Sequence, residues 1–249
     1  MNLKIIENDI TEALDEIKDN SIDLIFIDPP YNLGKNYSNN IKDSWDCEDE
    51  YISWLYSWLD KAILKLKKNG SLYIMNSVQN MPYIDIYLRK KMHVLSRIIW
   101  SYDSSGVQAK NHYGSLYEPI LHAVKSKYNY TFNYKDIQVE TITGSKRNLI
   151  DYRKNPPQAY SKYKVPGNVW YFPRVRYKMK EYVKHPSQKP EALLERIVLA
   201  SSNENDTVLD LFSGTFSMGM VCKRLNRNYI GIEKSNDYVN IGKLRLEIE

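Results

Sequence analysis

Short apolar runs alternate along this chain with longer segments in which apolar residues recur every three or four positions, and polar stretches separate the two kinds. Residues 3–8 read as a strand, and residues 11–18 as a short helix that Thr11 caps or opens. The run Ile22-Asp23-Leu24-Ile25-Phe26-Ile27 is short, β-branched and aromatic, and turn residues bound it, which predicts a parallel strand buried on both faces. A polar, aperiodic stretch over residues 32–50 follows and reads as a mobile loop, of a length that compact domains use for functional lids. Apolar residues at Ile52, Leu55, Leu59, Ile63 and Leu66 predict an amphipathic helix from Tyr51, stopped by Asn69-Gly70.

A buried strand over 71–75 and a helix over 82–91 come next, then strands over 93–102 and 116–124 joined by a polar turn with Gly106 and Gly114. Regular patterning fades from Val124 to Pro190. It resumes as a helix over 191–200 with Pro190 suited to its first turn, a strand over 207–212, a helix over 217–225, a strand over 228–232 and a closing helix over 237–247. Strands alternate with helices at both ends of the chain, so a parallel α/β sheet is the expected architecture.

At 249 residues and 29.3 kDa the chain is one domain, or one domain with a large insertion. A hydrophobic content of 43% with 26% charged residues is that of a globular protein and argues against global disorder. No stretch approaches the length of a membrane span, and the start MNLKIIENDI lacks a signal-peptide pattern. Cys47 and Cys222 lie far apart and match no zinc spacing, so a cytoplasmic protein without a structural metal or disulfide is expected. The net charge of +5 is unevenly spread: residues 125–184 hold 14 Lys/Arg against 4 Asp/Glu, and nine of the 21 tyrosines. Basic residues interleaved with aromatics are the footprint of a nucleic-acid face, against the plainer alternative of a solvated surface. Chain boundaries follow: a first half at 1–124, a basic, Tyr-rich recognition region at 125–184, and a second half at 185–249.

The most informative chemistry sits directly after the buried run, at Asp28-Pro29-Pro30-Tyr31. Ligands of open α/β sheets gather at the carboxyl ends of strands. The prolines fix their own φ and push the preceding residue toward an extended conformation. The Asp28 and Pro29 carbonyls are then held beside the Asp28 carboxylate, with the Tyr31 ring as a stacking plate. Acceptors over an aromatic floor suit an exocyclic amine on a flat base. Near the other end, Asp210-Leu211-Phe212-Ser213-Gly214-Thr215-Phe216-Ser217 forms a strand–turn–helix crossing, where Gly214 permits close approach of a ligand and the helix start offers unpaired N–H groups. Glu233 ends the next strand, either to accept bonds from ribose hydroxyls or to cap the following helix. Asp9 ends the first, either facing a base amino group or serving as a helix N-terminal acid.

The Asp28-Pro29-Pro30-Tyr31 segment resembles the catalytic motif of amino-DNA methyltransferases, the N6-adenine and N4-cytosine enzymes that use S-adenosylmethionine. His185-Pro186-Ser187-Gln188-Lys189-Pro190 resembles the family's H-P-[ST]-Q-K-P motif, and the 210–219 segment its D-x-F-x-G-S-G cofactor motif. Phe216 departs from that motif where a glycine is common, and it either packs over the ligand or fills the helix–sheet junction. Tyr117-Glu118-Pro119-Ile120-Leu121 is similar to a degenerate H-E-x-I-L strand of the family. The order, catalytic half first, resembles the β arrangement of these enzymes.

The resemblance implies a Rossmann-like methyltransferase sheet, mostly parallel with an antiparallel hairpin and helices on both faces. It implies Asp28, Pro29, Pro30 and Tyr31 as catalytic residues. It carries Asp9, Asp28, His185, Ser187, Gln188, Lys189, Asp210, Phe212, Ser213, Gly214, Thr215, Phe216, Ser217 and Glu233 onto S-adenosylmethionine. Lys35, Lys146, Arg147, Arg153, Lys154, Arg174 and Arg176 are the candidates for DNA contact. An Asp before PPY leans the resemblance toward N6-adenine. N4-cytosine, RNA or protein-amide methylation and a non-catalytic DNA-binding module are the alternatives. Double-stranded DNA, a second copy of the chain and a cognate restriction endonuclease are the partners it implies.

Overall fold

The structure, a computed structural model, describes residues 1–35, 37, 43–104, 106, 109–142, 147 and 149–248. Strand β1 (Leu3–Glu7) leads to helix α1 (Ile10–Ala13), a 3-10 turn over Leu14–Glu16 and strand β2 (Ile22–Ile27). Helix α2 (Glu48–Lys65) runs straight into β3 (Leu66–Met75), followed by α3 (Met81–Arg89), β4 (His93–Ser101) and β5 (Tyr117–Val124). Five short strands come next: β6 (Val139–Glu140), β7 (Ile150–Asp151), β8 (Gln158–Ala159), β9 (Tyr163–Lys164) and β10 (Val169–Tyr171). The chain closes with α4 (Glu191–Ser201), β11 (Thr207–Asp210), α5 (Ser217–Arg224), β12 (Asn228–Glu233) and α6 (Asn236–Leu246).

Eight strands form one sheet in the order β1-β12-β11-β2-β3-β5-β4-β10. Pairing is parallel from β1 to β3 and antiparallel at β3–β5 and β5–β4, with β10 parallel to β4. The strand period of two sorts β2 between two cores. Ile25 and Ile27 pack with α1, α2 and α3 on one face, while Leu24 and Phe26 pack with α4 and α5 on the other. All six residues of β2 are buried, and the one acid among them, Asp23, is held by Lys67 Nζ at 2.8 Å and the Thr207 N–H at 2.9 Å. The sheet is the expected mostly parallel, Rossmann-like one with an antiparallel hairpin. Its switch point lies between β11 and β2: the chain leaves β11 toward β12 on one side and β2 toward β3 on the other, which opens a crevice at their carboxyl ends.

Three local expectations need correction. Asp9, not Thr11, caps α1: its Oδ1 accepts the Thr11 N–H at 3.1 Å and the Thr11 hydroxyl at 2.9 Å. Helix α2 stops at Lys65 rather than at Asn69-Gly70, because Leu66 turns extended to pair with Ile22 and the polar residues after it become strand. The segment from Val124 to Pro190 is built onto the sheet as well as outside it. β10 extends the sheet edge, and Asn133 fastens to the end of α4 through its N–H to the Ala200 carbonyl at 2.8 Å. β6 pairs with β9 and β7 with β8 as separate two-stranded ribbons. Among the described residues no helix is long and apolar enough to cross a membrane.

Candidate active site

Asp28, Pro29 and Pro30 leave the carboxyl end of β2, and Leu211 to Gly214 leave that of β11. The strands are in register with Asp210 opposite Phe26, and the Leu211 N–H donates to the Phe26 carbonyl at 3.2 Å. The two turns are therefore neighbours, and both line one cleft of about 1190 Å³ that opens to solvent. The parallel pairing of Glu7 with Glu233 brings Asp9 and Glu233 to the same rim.

The β2 corner is a compact charge cluster. The Tyr31 hydroxyl donates to Asp28 Oδ1 at 2.6 Å, with Glu118 Oε2 a second acceptor at 3.1 Å. Lys189 Nζ lies 2.7 Å from Asp28 Oδ2 and 3.5 Å from Glu118 Oε2. Burial works against the Lys189 ammonium, but the Asp28 and Glu118 carboxylates outweigh it and hold the group above its ordinary value. Lys35 lines the same cleft, its ammonium lowered by burial and then by Lys189. The backbone of the turn is fastened from behind: the Tyr51 hydroxyl donates to the Pro30 carbonyl at 2.8 Å, and Asn80 Nδ2 to the Tyr31 carbonyl at 3.0 Å.

Tyr31, expected as a stacking plate, lines the cleft from a largely buried position. Its side chain packs into the core with Phe26 and Trp100, is 8% exposed, and has the Lys189 ammonium 5.4 Å from its ring centre. Burial, then the two carboxylates, push its hydroxyl well above the ordinary range, so it stays a donor.

The β11–β12 corner is held by backbone bonds. Glu233 Oε2 accepts the Gly214 N–H at 2.9 Å and Oε1 the Ser235 N–H at 2.8 Å, while burial raises its carboxyl. Gly214 has φ +49°, and a Cβ there would come 3.2 Å from His185 Nε2. His185 Nδ1 accepts the Ser187 N–H at 3.1 Å, and burial, then the Lys189 and Lys35 charges, push its pKa down to about 3. The ring is neutral at physiological pH and packs edge-on against Tyr238. Gln188 ties the end of the basic segment to this corner: Oε1 accepts the Val183 N–H at 2.8 Å and Nε2 donates to the Glu181 carbonyl at 2.6 Å. Asp9 is the α1 cap and also lines the cleft.

Of the residues expected on the cofactor, Asp9, Asp28, His185, Ser187, Gln188, Lys189, Phe212, Gly214 and Glu233 line the cleft. Asp210, Ser213, Thr215, Phe216 and Ser217 do not, because the turn closes on itself through Phe216 N–H to the Ser213 carbonyl at 2.7 Å and carries their side chains behind the wall. Asp210 accepts the Tyr229 hydroxyl at 3.2 Å, and burial pushes its carboxyl up to about 7. Ser213 also bonds Tyr229, and the Thr215 and Ser217 hydroxyls bond each other. Phe216 resolves to the junction: it is fully buried, and its ring lies where a Cβ on Gly242 of α6 would stand 2.4 Å away.

Among the DNA candidates, Lys35 lies inside the cleft rather than on an outer face. Arg174 lines the rim 5.3 Å from the Tyr102 ring centre, and Arg176 donates to the Asp103 carbonyl at 3.0 Å. Arg153 is paired with Asp151 at 2.8 Å, Arg147 and Lys154 are exposed, and Lys146 falls outside the described residues. Tyr152, Tyr163, Tyr171 and Tyr177 stand exposed in the same segment. Sequence reasoning gave no role to Glu118, although a charge opening an otherwise apolar strand signals one. It missed Trp45, Trp54, Trp100 and Tyr238, which only the tertiary fold brings to the cleft.

A doubly wound sheet with a cleft at its switch point, lined by the turn after β2 and by the Gly214 turn after β11 with Glu233 behind it, is a Rossmann-like architecture of the kind methyltransferases use. More narrowly, the chain belongs to the DNA methylase family, whose model matches residues 22–244. It is 57% identical over 244 residues to the DNA adenine methyltransferase YhdJ of Escherichia coli (strain K12), covering 98% of this chain and 82% of that one. It is 36% identical to the type II methyltransferase M.HpaI of Haemophilus parainfluenzae, over 100% of this chain and 76% of the relative. The crystal structure of the M1.HpyAVI–SAM complex superposes with a TM-score of 0.66 at 26% identity, covering 98% of this chain and 100% of that one. The PvuII cytosine-N4-specific DNA methyltransferase gives 0.74 at 18% identity, covering 98% and 86%, a likeness of fold.

Proposed function

We propose that the chain transfers a methyl group from S-adenosylmethionine to the N6 amino group of adenine in double-stranded DNA. The observation that carries this is the single cleft shared by the Asp28 corner and the Gly214–Glu233 corner. The 57% relative, named for adenine, supports the base, and the M1.HpyAVI complex with SAM supports the methyl donor.

The residues present fit such a donor. Glu233 offers a half-buried carboxylate already oriented by two N–H groups, and Gly214 lines the cleft without a side chain beside a neutral His185. Asp9, His185, Ser187, Gly214 and Glu233 would hold S-adenosylmethionine, which when bound supplies a methyl group made electrophilic by its sulfonium.

The amine to be methylated is a poor nucleophile because its lone pair is delocalised into the base. Asp28 and the Pro29 carbonyl accept its two N–H hydrogens and favour a pyramidal nitrogen, and the Asp28 carboxylate stabilises the positive charge that develops there. Asp28 then takes the surplus proton, which becomes acidic only once the nitrogen is quaternised. The base reaches this corner by leaving the duplex. Stacking by Tyr31 requires the Lys189 ammonium to draw back from its ring. Arg174 and Arg176 beside the cleft, with the exposed tyrosines, engage the backbone of the DNA.

Product analysis of nucleosides from DNA incubated with the protein should give N6-methyladenine, and Asp28→Ala should remove it while cofactor affinity is kept. N4-methylcytosine as the product, or an Asp28→Ala variant as active as the parent, would overturn the reading. A homodimer and a cognate restriction endonuclease complete the proposal; sedimentation of the pure protein tests the first and co-purification from the native host the second.

A further inference from the structure

Resting on that reading, one residue has no part yet. Glu118 enters the cluster from β5, its backbone in register with Trp100 of β4, so its carboxylate is delivered by the sheet and not by a loop. One ammonium and one hydroxyl are shared between two carboxylates: Lys189 is nearer to Asp28 at 2.7 Å than to Glu118 at 3.5 Å, and Tyr31 divides the same way at 2.6 and 3.1 Å. All the ionic side chains are enclosed, with Lys189 7%, Asp28 14% and Glu118 18% exposed.

The charge balance of the reaction makes this sharing matter. The amine nitrogen gains its bond to carbon as the carbon–sulfur bond of the donor breaks, with the electron pair left on sulfur. The displaced proton goes to Asp28, which becomes neutral. Lys189 then loses its nearer counter-charge while still buried, and a buried ammonium left unpaired is strongly disfavoured. Lys35, also on the cleft wall, adds a second cation to the same space.

We propose that Glu118 is a positioning residue that keeps Lys189 and the Tyr31 hydroxyl paired when Asp28 turns to the substrate amine and takes its proton. Glu118 acts through Lys189, so its effect depends on the lysine being charged.

Single-turnover methylation of an adenine-containing duplex, with cofactor affinity measured by calorimetry, tests this on Glu118→Gln, Glu118→Asp, Lys189→Met and the double variant Glu118→Gln/Lys189→Met. Glu118→Gln should slow the methyl-transfer rate on the order of 10- to 100-fold, the scale of a lost bond to a charged group, with cofactor affinity unmoved. Glu118→Asp, which keeps the charge one methylene back, should fall between it and the parent, and it carries the test should the Gln variant not fold. In the Lys189→Met background the Gln substitution should cost less than about twofold.

An equal cost with and without Lys189 would overturn the proposal, as would a Gln variant within about twofold of the parent or a loss confined to cofactor binding. A parent protein that yields no N6-methyladenine would instead overturn the functional reading on which the proposal rests.

Discussion

Replacing Phe216 by glycine brings the chain into line with the more usual cofactor motif, and the structure predicts that it costs stability. Phe216 has φ +59°, a left-handed conformation that costs a non-glycine residue about 1–2 kcal/mol, so glycine relieves strain. Against this, the ring is 0% exposed and belongs to the core formed by Val208, Val221, Tyr229 and Leu246. Deleting a buried phenyl typically costs about 3–5 kcal/mol. The net is a loss of about 1–4 kcal/mol, which for a chain of this size lowers the melting temperature by about 2–16 °C.

Thermal denaturation followed by circular dichroism reads this directly, and a second substitution isolates the contact. In the parent, Gly242→Ala would push a Cβ to 2.4 Å from the ring, an overpacking cost of about 1–3 kcal/mol against a helix gain of about 1. In the Phe216→Gly background that obstacle is gone, and Gly242→Ala should become stabilising. A Phe216→Gly variant as stable as the parent, or a Gly242→Ala effect of the same sign in both backgrounds, would refute the junction role.

Asp210 predicts a pH dependence of stability. Its carboxyl is raised from the ordinary 3.8 to about 7 by burial, so between those values the folded protein holds a proton that the unfolded chain has released. The associated stability is fully present below the unfolded value and is lost as pH rises through 7, a swing on the order of 4 kcal/mol. Denaturant unfolding at about pH 5 and about pH 8 should show about 3 kcal/mol of this loss in the parent and a smaller one in Asp210→Asn; equal losses would refute it. Beside the cleft, removing Arg174 or Arg176 by Ala should each reduce the slope of log binding constant against log salt for duplex DNA by about one. An unchanged slope in both variants would take these residues out of the interface.

The elements that sequence patterning reaches are those whose own residues carry the signal. β2 is readable because it is buried on both faces, and α2 because its apolar positions recur on one side over eighteen residues. β6 to β9 are two residues each, too short for any period to show, and β10 is a strand only because β4 offers it an edge. The same division runs through the site. Asp28 and Glu233 end strands and face the cleft as position alone implies. Glu118 begins a strand and enters the site only because β5 runs antiparallel to β3, which brings its start beside the end of β2's neighbour.

The residues after Asp210 show why a motif match does not by itself assign contacts. Within one turn, Gly214 faces the cleft while Thr215, Phe216 and Ser217 face the protein, and the difference is made from behind. Arg245 of α6 donates to the Thr215 carbonyl and to Glu191 of α4 at 3.0 Å, and Phe216 seals the gap that Gly242 leaves open. The turn is thereby set by packing and by a bond to α6, itself tied to α4, rather than by a second glycine's freedom. A turn built this way takes its shape from the protein's own packing, with the Gly214 N–H committed to Glu233. Such preorganisation limits what binding must order. It also accounts for how a bulky residue can stand at Phe216 without closing the cleft: its ring lies on the core side of the backbone, against Gly242.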